Sequence, residues 1–114
     1  MPHLVLEHSA ELADSHDLHA AARALFDAAH EGDLFTNKAA IKVRTTPCHN
    51  VLMGTNPQTF AHLTIYLLSG RTDAARADLA TRMLAVLDQH FPDVGALSVD
   101  PRDINTQTYA KRVI

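Results

Sequence analysis

The sequence predicts an α+β fold: two β-α-β units sharing one four-stranded sheet, with two helices on one face. Three observations lead there. Short apolar runs at 2–8, 40–44, 60–68 and 97–99 read as strands. A helical pattern separates the members of each pair, and the two halves repeat one another. The chain has 114 residues, enough for a single domain over 1–114 with a modest core.

Residues 2–8 are apolar and partly alternating, so the first strand starts at the very beginning of the chain. A polar stretch, 9–16, follows. Leu18, Ala21, Ala22, Leu25, Phe26 and Ala29 then recur at helical spacing. Asp17 or Ser15 supplies the N-cap of that helix, and Gly32 ends it. In 40–44, Ile41 and Val43 share one face of a second strand, and Lys42 and Arg44 share the other. The run 45–59 holds Pro47, Asn50, Gly54, Asn56 and Pro57, and reads as a loop with a short hairpin around Val51 to Met53. Residues 60–68 form the third strand, closed by Gly70. Thr72 caps a second helix with the stripe Leu79, Met83, Val86 and Leu87, and Pro92 stops it. A fourth strand starts at 97–99. The tail 103–114, polar and then basic, is an arm or a last short strand.

The repeat is visible in the residues. Pro2-His3-Leu4-Val5-Leu6 aligns with Ala61-His62-Leu63-Thr64-Ile65, and at the same offset Arg23 and Leu25 align with Arg82 and Leu84. The halves run over about 2–44 and 60–104. Right-handed crossovers make the strands of each unit parallel. Two helices on one face leave the other sheet face bare, and a further subunit is its expected cover.

Composition narrows the function classes. The formal net charge of -3 offers no nucleic-acid surface. No run approaches the length of a membrane span, and the start lacks the basic and apolar regions of a signal peptide. The single cysteine, Cys48, excludes an intrachain disulfide and suits a reducing cytoplasm.

Candidate chemistry begins at Pro2. Methionine before a small residue is normally removed, which leaves proline as a secondary amine at the chain start. In an apolar pocket near cations its charged form is disfavoured, and the neutral amine acts as a general base. Met-Pro is also an ordinary way to begin an edge strand. Arg71, in Ser69-Gly70-Arg71-Thr72, sits at a strand-to-helix turn, where a guanidinium can take a carboxylate on two prongs or stay solvated. Lys42 and Arg44 form a second anion site or a polar strand face. The eight histidines lack the spacing of a metal motif, Cys48 beside His49 is a poor nucleophile-base pair, and no glycine-rich phosphate loop occurs.

Three segments in one order carry a resemblance: 2–9 (Pro2-His3-Leu4-Val5-Leu6-Glu7-His8-Ser9), 40–44 (Ala40-Ile41-Lys42-Val43-Arg44), and His62-Leu63-Thr64 with Ser69-Gly70-Arg71. Together they resemble the 5-carboxymethyl-2-hydroxymuconate Δ-isomerase family of the tautomerase superfamily. The resemblance spans Pro2 to about Val99 and fades after Asp100, where the chain is shorter than the family's pattern. It implies a cofactor-independent and metal-free homotrimer in aromatic-compound catabolism. The implied substrate is a small dicarboxylate or tricarboxylate dienol or enol. It implies Pro2 as general base, with Arg71 and either Lys42 or Arg44 as substrate-binding cations. The family's arginine falls on Lys42, which lacks the planar fork, and that bears on substrate identity. The alternatives are a Pro-dependent decarboxylase or hydratase, and a non-catalytic trimeric binding protein on the same fold. All proline chemistry requires that Met1 be lost.

Overall fold

A computed structural model describes residues 1–55 and 58–114. Its elements are β1 (His3–Ser9), α1 (Leu12–Ser15), α2 (Leu18–Glu31), a 3₁₀ turn (Lys38–Ala40), β2 (Lys42–Cys48), β3 (Phe60–Leu68), α3 (Asp73–His90) and β4 (Ala96–Ile104). The strands lie in the order β2-β1-β3-β4. β1 pairs in parallel with β2, β3 pairs in parallel with β4, and β1 and β3 meet antiparallel at the centre. This is the expected pair of β-α-β units in one mixed sheet.

Local chemistry explains the helices. The Asp17 side chain accepts from the Ala20 N–H at 2.9 Å, and the Thr72 hydroxyl accepts from the Ala75 N–H at 3.1 Å, so both long helices start on side-chain caps. α2 buries Ala21, Leu25 and Ala29, spaced four apart on one face. α3 buries Leu79, Met83 and Leu87 in the same rhythm. Leu4 and Leu6 of β1 and Ala61, Leu63, Ile65 and Leu67 of β3 face these helices. All join one hydrophobic cluster, so the core is a single layer between sheet and helices.

The polar stretch 9–16, for which the sequence offers no element, contains the short helix α1. Other expectations need correction. The run read as a loop from 45 onward instead continues β2 to Cys48. Pro47 is tolerated there because β2 is an edge strand, where a missing N–H costs the ladder little. Val51 to Met53 have no regular structure, and Leu52 is fully exposed, so no hairpin forms there. Asn56 and Pro57, part of the same expected loop, lie outside the described residues. β4 runs on through Pro101 to Ile104, again on an edge, and the chain beyond it has no further strand. The repeat register holds in β1 and β3, where Leu4 and Leu6 match buried Leu63 and Ile65, but slips by one in the helices. Leu25 is fully buried while Leu84 is 41% exposed, and Met83 takes the core position.

Topology then positions the site. Because β1 and β2 start where β3 and β4 end, four segments converge at one end of the sheet. They are Met1-Pro2, Ala40 to Lys42, Ser69 to Arg71, and the chain after Ile104. On the face away from the helices, the first full row across the sheet is Lys42, His3, Tyr66 and Arg102. The second is Arg44, Val5, Thr64 and Asp100.

Candidate active site

The Pro2 ring is fully buried, and its carbonyl accepts from the Lys42 N–H at 3.1 Å, which locks the start of β1 to β2. Met1 is present, so the Pro2 nitrogen lies in a peptide bond and the free amine belongs to Met1. That amine donates to the Ala40 carbonyl at 3.4 Å. The Lys42 ammonium donates to the same oxygen at 2.7 Å. Amine and ammonium thus converge on one carbonyl. Burial first, then the charges of Lys42 and Lys111, hold the amine below the ordinary α-amino range.

Lys42 and Arg44 project on the open face, as their alternation with Ile41 and Val43 requires. Arg44 Nη1 lies 3.0 Å from His3 Nδ1. Burial, then Arg44, Lys42 and the terminal amine, push the His3 imidazole below the usual histidine range. Lys42 also borders a groove of about 470 Å³ between α2 and the β2 edge, lined with His19, Arg23 and Phe26.

Arg71 is placed differently. Gly70 takes a positive φ of 121°, open to glycine at no steric cost, and this turns the chain from β3 toward α3. Arg71 then sends Nη1 to the Leu68 carbonyl at 2.9 Å and Nη2 to the Leu34 carbonyl at 3.2 Å. Its guanidinium lies over the Phe35 ring, 5.9 Å from the centroid. Arg71 therefore shares the sheet end with Pro2 and Lys42, but it leans toward the helix layer while Lys42 and Arg44 occupy the open face. Among the described residues two of its five N–H groups are used.

The other histidine candidates separate. His16 hydrogen-bonds Ser15 and Asp93, each at 2.7 Å, and does not pair with His19. Among the described residues no group of three His, Cys, Asp or Glu side chains is placed to hold a metal. Two residues at the site escaped the sequence reading. Lys111 was legible only as part of a basic tail. His3 was noted only as the repeat partner of His62, and nothing in one sequence tells which strand neighbour a histidine meets.

A family model described as 5-carboxymethyl-2-hydroxymuconate isomerase matches residues 2–112. A 5-carboxymethyl-2-hydroxymuconate isomerase from Deinococcus radiodurans R1 is 21% identical, with TM-score 0.83 over 97% of this chain and 88% of that one. A 5-carboxymethyl-2-hydroxymuconate delta-isomerase is 18% identical, with TM-score 0.81 over 99% and 88%. A fused 4-OT described as a wild-type symmetric trimer is 18% identical, with TM-score 0.77 over 96% and 90%. Among curated proteins none matches in sequence. At these identities the structural likeness shows the fold.

Proposed function

The chain belongs to the 5-carboxymethyl-2-hydroxymuconate isomerase family, and from that premise we propose a cofactor-independent isomerase in which the Pro2 nitrogen, freed by loss of Met1, is the general base. The neutral amine takes a proton from a carboxylated dienol such as 5-carboxymethyl-2-hydroxymuconate. It returns the proton to another carbon of the same molecule, and the double bond moves between. Base and acid are the same nitrogen, so no proton is gained or lost overall. Arg71 and one of Lys42 and Arg44 hold the substrate carboxylates and stabilise the developing enolate.

The observation that carries this reading is the electrostatics at the chain start. The amine and the Lys42 ammonium meet at the Ala40 carbonyl, and Lys111 adds a further positive charge. Loss of Met1 puts the Pro2 amine one residue from this position, next to the same Lys42, whose N–H already bonds the Pro2 carbonyl, and a nearby cation disfavours a charged amine. The bare sheet face and the trimeric 4-OT relative support a homotrimer. One cysteine and the lack of any helix long and apolar enough to cross a membrane among the described residues are compatible with a cytoplasmic enzyme.

Turnover of 5-carboxymethyl-2-hydroxymuconate by mature chain with a free and with a chemically blocked N-terminus tests the proposal. The free form turns over and the blocked form does not. Equal rates sink the mechanism. The commitment of Arg71 to two backbone carbonyls favours a second reading, a decarboxylase, hydratase or inert binder with altered anion recognition. Product analysis on a panel of dienols and acrylates separates these.

A further inference from the structure

We propose that His3 is a substrate-facing hydrogen-bond donor of this site, fixed as a neutral ring with its proton on Nε2 by Arg44, which is thereby a positioning residue. The proposal rests on the isomerase reading above and deepens it.

Arg44 Nη1 lies 3.0 Å from His3 Nδ1. A guanidinium only donates, so Nδ1 must accept with its lone pair. The ring proton then sits on Nε2. Protonating Nδ1 would break the Arg44 bond and place a second cation against the first. The neighbours point the same way from every strand. Lys42 and Arg44 face His3 from β2, and Tyr66 faces it from β3, with Arg102 of β4 beyond. The terminal amine lies at the chain end. The nearest carboxylates on this face are displaced: Glu7 is two rows along β1 and Asp100 is hydrogen-bonded to Arg102 Nε at 2.7 Å. The fall in the His3 pKa agrees with this geometry.

Position gives the donor its use. His3 is the residue directly after Pro2, at the strand end where the amine and Lys42 converge. As Pro2 takes its proton, negative charge grows on the substrate oxygen. A neutral imidazole N–H among cations stabilises that oxygen and keeps its own proton, since a neutral ring is a far weaker acid than an imidazolium. No proton leaves His3 in the cycle. Arg44 acts through His3, because its Nη1 hydrogen bond to that ring is what fixes the donor.

Nitrogen NMR and kinetics on the mature chain test this. At pH 7 His3 shows the neutral Nε2–H form, and its Nε2–H resonance shifts when adipate, a simple dicarboxylate, is added. Arg44→Met mixes the tautomers and raises the His3 pKa. On 5-carboxymethyl-2-hydroxymuconate, His3→Leu lowers kcat on the order of 10–100-fold with KM little changed, and His3→Gln, which keeps an N–H donor, recovers most of it. Arg44→Met falls similarly, and the double variant with His3→Leu falls no further. A charged ring or an Nδ1–H ring at pH 7, no shift with adipate, or independent losses with Arg44→Met raising KM alone would overturn the assignment. If the wild-type chain does not turn over the dienol, the isomerase reading fails, and the tautomer and the adipate shift still decide the role of His3.

Discussion

Lys42 does two things at the start of β2: its N–H ties Pro2 into the ladder, and its ammonium crowds the terminal amine. Only the second depends on charge. In Lys42→Met the backbone bond survives and the cation is lost. A neutral base gains activity as pH rises through its pKa, so the acid limb of kcat/KM reports the amine. The proposal places that limb below the ordinary α-amino range of about 8. Removing a nearby cation makes protonation easier and raises the pKa, so in Lys42→Met the limb moves to higher pH. A pH–rate profile of the two proteins checks the sign. A limb that stays in place shows that Lys42 does not bear on the base. Arg71 resists so simple a test, because its loss would also release the Leu34 and Leu68 carbonyls.

At the level of elements, the helix register gives the sharpest check on the core. Met83 is fully buried and Leu84 is 41% exposed, although the repeat read from residue identity aligns Leu84 with buried Leu25. Met83→Ala should cost about 2–5 kcal/mol and Leu84→Ala well under 1 kcal/mol, read by urea unfolding. The reverse order would restore the sequence-based register. Most of the elements were legible, because Asp17, Thr72, Gly32 and the alternating strands each carry a local signal. The third strand was read to its observed bounds, Phe60–Leu68. The early end expected for the second strand has a topological cause: Pro47 reads as a breaker, yet it sits on an edge strand, and which strand becomes an edge is decided by topology. The site was legible as residue types and not as partners. Arg71 was visible as a turn arginine, but nothing local shows that it spans from Leu68 to Leu34.

For the whole molecule, the open sheet face is the unfinished part. No helix packs on the face of His3, Val5 and Tyr66, and Tyr66 is exposed there although Thr64 is buried, while the helix face is complete. If three copies associate through the part of this face around Val5, leaving the His3 row to the substrate, the mature chain runs at three times its monomer mass in sedimentation. Val5→Glu, which puts a carboxylate in mid-face, then shifts it toward monomer because a buried unpaired charge is costly. A trimer untouched by Val5→Glu would move the interface elsewhere.

The central claim is that the nitrogen of Pro2 is the base. It is tested most directly by labelling that nitrogen in mature chain, titrating it by NMR, and recording kcat/KM over the same pH range. The expected result is a pKa below the ordinary α-amino range that coincides with the acid limb of the rate. An unshifted amine, a rate limb that ignores it, or full activity in chain that still carries Met1 would contradict it.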